Sequence, residues 1–166
     1  MKKILALAFT IIVSICSFAQ KDSTFPPPYR QVPTVPPFTV LQSDSSTLFK
    51  KTDLPKNKPL LIILFDPNCD HCQHETEDII KNIDGFKNIQ ILMVTNADFA
   101  DLKRFYNNYG LANYKNIVAG VEIKYFLATF FAIRNLPYLA MYDKKGNLIT
   151  TFEGTMKPEK ILEYFK

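Results

Sequence analysis

Six apolar residues, Leu60 to Phe65, run without a polar break almost to the motif Cys69-Asp70-His71-Cys72. A strand with one solvated face alternates apolar and polar residues, so a run apolar on both faces predicts a central strand covered on both sides. Downstream, Cys72, Thr76, Ile79, Ile80 and Ile83 recur at helical spacing, with Asn68 as a candidate N-cap just ahead of Cys69. The C-x-x-C pair therefore stands where a covered strand hands over to the first turn of a helix. A strand of that kind needs a layer on each face, which points to an α/β architecture.

The rest of the chain alternates in the same way. PFTVLQSDSSTLFKKTDL, from Pro37, reads as a short hairpin ahead of the covered strand, with the turn PKNKP between them. Ile89 to Thr95 reads as another strand, and Phe99, Leu102, Tyr106 and Tyr109 form a helical stripe ending at Gly110, a natural C-terminal cap. Asn116 to Ala119 is a weaker strand signal, and Tyr125 to Ile133 is expected as a buried helix. Tyr138 to Tyr142 and Leu148 to Phe152 flank the turn Asp143-Lys144-Lys145-Gly146-Asn147 as a hairpin, and a last helix begins near Pro158. No internal repeat is visible. The expected fold class is an α/β sandwich, a central mixed sheet flanked by helices with an N-terminal hairpin extension.

The N-terminus has a different character. Lys2 and Lys3 precede an apolar run from Ile4 to about Ile15, followed by Ser17-Phe18-Ala19, the form of a secretory signal peptide cut after Ala19. The run is shorter than the roughly 20 residues that span a bilayer. Ile15 before Cys16 speaks against lipoprotein processing, which wants a small residue there. Residues 20–37 form a Pro-rich arm, with six prolines in the twelve residues PPPYRQVPTVPP, expected to be extended and without internal helix. Residues 38–166 form the expected domain. The formal charge of +4 falls to +2 once Lys2 and Lys3 leave with the leader, too little and too dispersed to suggest nucleic acid.

After removal of the leader only Cys69 and Cys72 remain, in a compartment where disulfides persist. A cysteine in the first turn of a helix faces unpaired backbone N–H groups and the positive end of the helix dipole, both of which favour thiolate. Cys69 is thus the candidate nucleophile. Cys72, one turn on, is placed to attack a mixed disulfide as the resolving thiol. His71, when protonated, would favour the Cys69 thiolate and Asp70 would oppose it. As a staple the pair would be poorly placed: closing a loop of about four residues removes only on the order of 2 kcal/mol of unfolded-chain entropy, against about 4.7 for 100 residues. Cys69, His71, Cys72 and His74 are also zinc and copper ligand types, but no further cysteine or histidine follows His74, so no metal site is expected.

These residues resemble the thioredoxin superfamily. LIILFDPNCDHC is similar to the family's strand and active-site helix, and IRNLPYLAMYDKKGNLITTFEG to the segment carrying its cis-proline hairpin. The resemblance covers Phe38 to Phe165 and is nearest the exported branch similar to cytochrome-maturation and membrane-tethered thioredoxins. It implies that Pro137, after Leu136, is a cis-proline beside the two cysteines, that Leu136 and Pro137 line the substrate groove, and that Gly154 occupies a usual glycine position. The chain departs from the pattern at Asn68, where a tryptophan is usual, and at Ile63, which aligns with a buried acid. Ile62 and Asp66 stand where peroxiredoxins have proline and threonine, against a peroxidase.

The function implied is an exported, periplasmic or secreted thiol–disulfide oxidoreductase without cofactor, exchanging disulfides with substrate proteins. By the same analogy a membrane redox protein is the electron partner; the sequence leaves the oligomeric state open, with a monomer as the default. The direction is open, the overall pattern lying closer to the reductases. Two other readings stand beside it: a thioredoxin-fold binding or chaperone-like module with an inert disulfide, using the arm and KYFLATFF as partner surface, and a copper-handling protein using Cys69 and Cys72.

Overall fold

Strand β3 (Leu60–Leu64) is buried along its whole length, and its side chains alternate between two cores. Leu61 and Ile63 belong to one cluster with Cys72, Ile79, Leu102, Phe105 and Ile161; Leu60, Ile62 and Leu64 belong to the other with Leu127, Phe130 and Phe131. The period-two geometry of a strand therefore splits one apolar run between two layers of helix. The computed structural model describes residues 25–166; the expected leader at 1–19 and the start of the arm lie outside the described residues.

In chain order the described residues form α1 (Pro28–Gln31), β1 (Thr39–Gln42), β2 (Leu48–Lys50), β3, α2 (Asp70–Lys81), β4 (Gln90–Thr95), α3 (Phe99–Asn108), β5 (Ile117–Val121), α4 (Phe126–Phe131), β6 (Tyr138–Tyr142), β7 (Leu148–Glu153) and α5 (Pro158–Glu163). The strands make one seven-stranded sheet in the order β2-β1-β5-β4-β3-β6-β7. β3, β4 and β5 are parallel, and the hairpin β1–β2 and the hairpin β6–β7 add antiparallel strands at either side. The mixed sheet with helices on both faces is the α/β sandwich expected from the alternation.

Gly110 ends α3 in the left-handed region at φ +58, the conformation glycine adopts without a Cβ penalty. KYFLATFF divides: Leu127, Phe130 and Phe131 are core, whereas Tyr125 and Phe126 are exposed.

Two local expectations are corrected. Asn68 does not cap α2; Cys69 is the N-cap residue, in extended conformation, and the helix begins at Asp70. The Asn68 side chain is engaged elsewhere, as described below. The Pro-rich stretch is also not extended throughout, since Pro28–Gln31 forms one helical turn. Pro28 sits at its first position, where the fixed φ suits a helix and the missing N–H would be unpaired anyway.

The described part of the arm lies on the domain. Tyr29 packs on Phe131 with ring centroids 6.0 Å apart. Thr34 bridges to Asn147, the Pro33 carbonyl accepts from Leu148 N–H, and Val35 is buried in the second core.

Because Ile62 is fully enclosed, Ile62→Ala leaves a cavity that close-packed neighbours fill only in part. The variant is expected to lose about 3 kcal/mol of unfolding free energy in a urea titration, with an unchanged m-value.

Candidate active site

The site is built at the carboxyl end of β3. Phe65 N–H donates to the Val94 carbonyl, and the chain then leaves the sheet through Asp66, Pro67 and Asn68. Three bonds hold this short loop. The Asp66 carboxylate accepts from Asn68 N–H at 2.7 Å, the Asp66 carbonyl accepts from Cys69 N–H at 3.1 Å, and the Gln73 amide donates to the Pro67 carbonyl at 2.9 Å.

A fourth tie comes from α3. The Asn68 amide donates to Asp101 at 2.9 Å, while Arg104 donates to both the Asn68 side-chain oxygen and Asp101, at 3.0 and 2.8 Å. The Asn68 amide first, and the Arg104 guanidinium after it, hold the Asp101 carboxyl below the ordinary carboxylate range. A polar triangle thus occupies the place where the resemblance implies a tryptophan.

Cys69 and Cys72 are both free thiols, but in different surroundings. Cys69 is half-buried at the N-cap, and Cys72, one turn on, is 1 % exposed within the first core. Burial pushes the Cys72 thiol up to about 12; the Asp66 backbone opposes the rise and the neighbouring Cys69 adds to it. Asp70 and His71, the two residues between the cysteines, are exposed. His74 hydrogen-bonds the Asp70 carbonyl through Nδ1 at 2.7 Å, as a residue one turn along a helix can. Among the described residues no group of three or more His, Cys, Asp or Glu side chains is arranged to hold a metal ion.

The Leu136–Pro137 segment reaches the same end of the sheet through pairing: β6 runs antiparallel to β3 with Tyr138 opposite Leu64, so the residues before Tyr138 lie beside Phe65 and Asp66. The Leu136–Pro137 peptide bond is cis. Leu136 packs against the core that holds Cys72, as does Cys69. The Pro137 carbonyl accepts from Gly154 N–H at 2.8 Å, and Gly154 has φ +101, which an L-residue rarely adopts. A cleft of about 400 Å³ opens here, lined by Phe65, Asp66, Asn96, Ile133, Arg134 and Leu136 among others.

Glu75 was not legible as a site residue. It stands one turn after Cys72 on the same buried face of α2 and is 2 % exposed. Its Oε2 accepts from Met156 N–H at 2.8 Å and its Oε1 has no partner among the described residues. Burial raises its carboxyl from the usual 4.5 to about 7, with the Met156 bond opposing. The one signal in the sequence is a charged residue inside the stripe Cys72, Thr76, Ile79; nothing local says that Met156, 81 residues on, covers it. The Asp101 and Arg104 contacts were missed for the same reason.

Residues 50–166 match the family model of a thioredoxin-like domain. The chain belongs to the thioredoxin-like family. Solved structures agree on the fold. DsbF of Mycobacterium tuberculosis superposes with a TM-score of 0.64 at 20% identity, covering 76% of this chain and 91% of its own. The exposed lipoprotein thioredoxin Etrx1 of Streptococcus pneumoniae gives 0.63 at 23% identity, with 77% and 96% covered. A secreted M. tuberculosis disulfide oxidoreductase gives 0.64 at 17%, with 76% and 92% covered. No curated protein matches the sequence. Within this thioredoxin-like chain, the expected sites Cys69, Asp70, His71, Cys72, Leu136 and Pro137 all lie at one end of the sheet.

The raised Glu75 carboxyl makes stability depend on pH with a definite sign. Between about 4.5 and 7 the folded state binds the proton that the unfolded state has released, so unfolding free energy falls as pH rises through this window. The full penalty, on the order of 3 kcal/mol, is present above it. Glu75→Gln keeps the shape without the charge. It is expected to melt higher than the parent at pH 8 and equally at pH 4.5, measured by thermal denaturation across that range.

Proposed function

We propose that this protein is an exported thiol–disulfide oxidoreductase that exchanges disulfides with protein substrates. The observation that carries the proposal is the asymmetry of the two thiols: Cys69 half-exposed at a helix N-cap, Cys72 enclosed one turn behind it. Family membership supports redox chemistry in general, and one structural neighbour, a secreted disulfide oxidoreductase of M. tuberculosis, agrees with it.

In the reductive direction Cys69 as thiolate attacks a substrate disulfide. One substrate sulfur leaves as a thiol and a mixed disulfide forms. Cys72 then gives up its proton and attacks the Cys69 sulfur, which closes the Cys69–Cys72 disulfide and releases the second substrate thiol. Run backwards, the same steps oxidise a substrate dithiol.

A thiol held near 12 does not ionise unaided at neutral pH, so the second step needs a proton acceptor. Asp66, in the loop before Cys69, is the carboxylate whose charge is felt at the Cys72 thiol; Glu75 lies one turn further along the buried face of α2, poised near neutrality. Asp70 and His71, exposed beside the reacting sulfur, act as the tuning pair. Leu136 and Pro137 form the wall against which the substrate backbone lies, with the cleft beside Arg134 receiving a flanking side chain.

Cys72→Ser is expected to accumulate mixed disulfides with substrate proteins, seen as thiol-sensitive adducts on non-reducing gels. Cys69→Ser should form none and lose insulin-disulfide reduction by at least about 1000-fold. Adduct formation by Cys69→Ser equal to that by Cys72→Ser would reverse the roles. Equilibration of the parent in glutathione buffers fixes the direction: a potential near or below about −250 mV marks a reductase, one above about −180 mV an oxidase or isomerase. A pair that resists reduction until the protein unfolds would refute the oxidoreductase reading.

A further inference from the structure

The sequence spreads its lysines widely, but the fold gathers them. Lys51, Lys56, Lys58, Lys144 and Lys145 all line one cavity of about 210 Å³ at the end of the sheet remote from Cys69. Its floor includes Leu60 and Gln90, the first residues of β3 and β4, which pair with each other. β3 alone therefore separates this cavity from the dithiol end by about 13 Å of strand.

Lys56, Lys144 and Lys145 are exposed and Lys58 half-buried, and none of the four makes an ion pair among the described residues. The acid within the rim, Asp143, is spent on its own turn. One oxygen accepts from Lys145 N–H and Asn147 N–H at 2.8 Å, and the other from the Asn147 amide at 3.0 Å.

A second feature adjoins the lysines. A neighbouring cavity shares Asp143, Lys144 and Lys145 and is lined further by Ile149, Tyr164, Phe165 and Lys166. Ile149 and Tyr164 are 39% and 36% exposed. Unpaired cations interleaved with exposed aliphatic and aromatic side chains complement an interface that is anionic outside and apolar just beneath. Lysines suit the headgroups, and Tyr and Ile the boundary with the acyl chains. A soluble polyanion has no use for the apolar members.

We propose that the lysine-rimmed end of the sheet is a docking surface for an anionic lipid bilayer, which holds the protein with Cys69 facing away from the membrane. The assignment rests on charge and exposure and is independent of the thiol chemistry.

The full chain and its variants are mixed with vesicles of phosphatidylglycerol and phosphatidylcholine, and with vesicles of phosphatidylcholine alone, in a sedimentation assay. The reading is the change that each variant makes in the ratio of the two affinities, so the leader with Lys2 and Lys3, present in every sample, contributes equally to all of them. Each lysine near an anionic surface contributes about five-fold in affinity. Lys56→Glu/Lys144→Glu is expected to lower the ratio at least about 25-fold, while Lys103→Glu/Lys124→Glu, the same charge change elsewhere, lowers it less than three-fold. Ile149→Ser should weaken vesicle binding but leave any binding to inorganic polyphosphate unchanged. Circular dichroism melts confirm that each variant is folded.

Three results would overturn the proposal: no preference of the parent for anionic vesicles, an equal loss in both charge-reversed pairs, or polyphosphate binding as tight as vesicle binding at equal phosphate concentration.

Discussion

Everything at the candidate site depends on the burial of β3 on both faces. Leu61 and Ile63 turn to one helical layer and Leu60, Ile62 and Leu64 to the other, so the strand cannot slip by one residue without exchanging the two cores. Its backbone is paired on both sides as well, to β4 in parallel and to β6 in antiparallel register. A strand so constrained ends at a fixed point, and the loop Asp66 to Asn68 starts from there. Cys69 inherits its position from that strand end, and Leu136 and Pro137 inherit theirs from the strand paired beside it.

Around this anchor the site is finished by contacts from elements remote in sequence. The Asn68–Asp101–Arg104 triangle ties the loop before Cys69 to α3, in a chain that lacks the bulky aromatic residue usual at position 68. Such exposed polar bonds are individually weak, on the order of 1 kcal/mol or less. Their consequence is directional: they fix which way the loop faces. The apolar contact of Phe65 with Phe105, ring centroids 4.7 Å apart, sets the distance between the same two elements. Further along the buried face of α2, Glu75 carries a carboxyl into the core against a single backbone N–H, its other oxygen unpaired among the described residues, an arrangement that costs stability at neutral pH.

Much of the architecture was legible in the chain. The Leu60–Leu64 run, the helical stripes after Cys69 and Phe99, the C-cap at Gly110 and the hairpin around Asp143–Asn147 are all read from local periodicity and turn residues, and local geometry is what those signals encode. The helix starts one residue later than the sequence predicts, because Asn68 is a good cap by type, yet its amide is drawn instead to Asp101. The arm kept more structure than its prolines suggested, since Pro28 favours a first helical turn and Tyr29 finds Phe131.

By itself the sequence determined the alternation of elements, the covered strand and the placing of two cysteines one helical turn apart at its end, because each follows from spacing within a dozen or so residues. Only the tertiary structure decided that Met156 covers Glu75, that α3 reaches Asn68, that Cys72 is enclosed while Cys69 is not, and that lysines from positions 51 to 58 and 144 to 145 meet around one cavity. Those are juxtapositions of segments dozens of residues apart, set by strand order and helix packing, and the periodicity of a single segment carries no record of its neighbours.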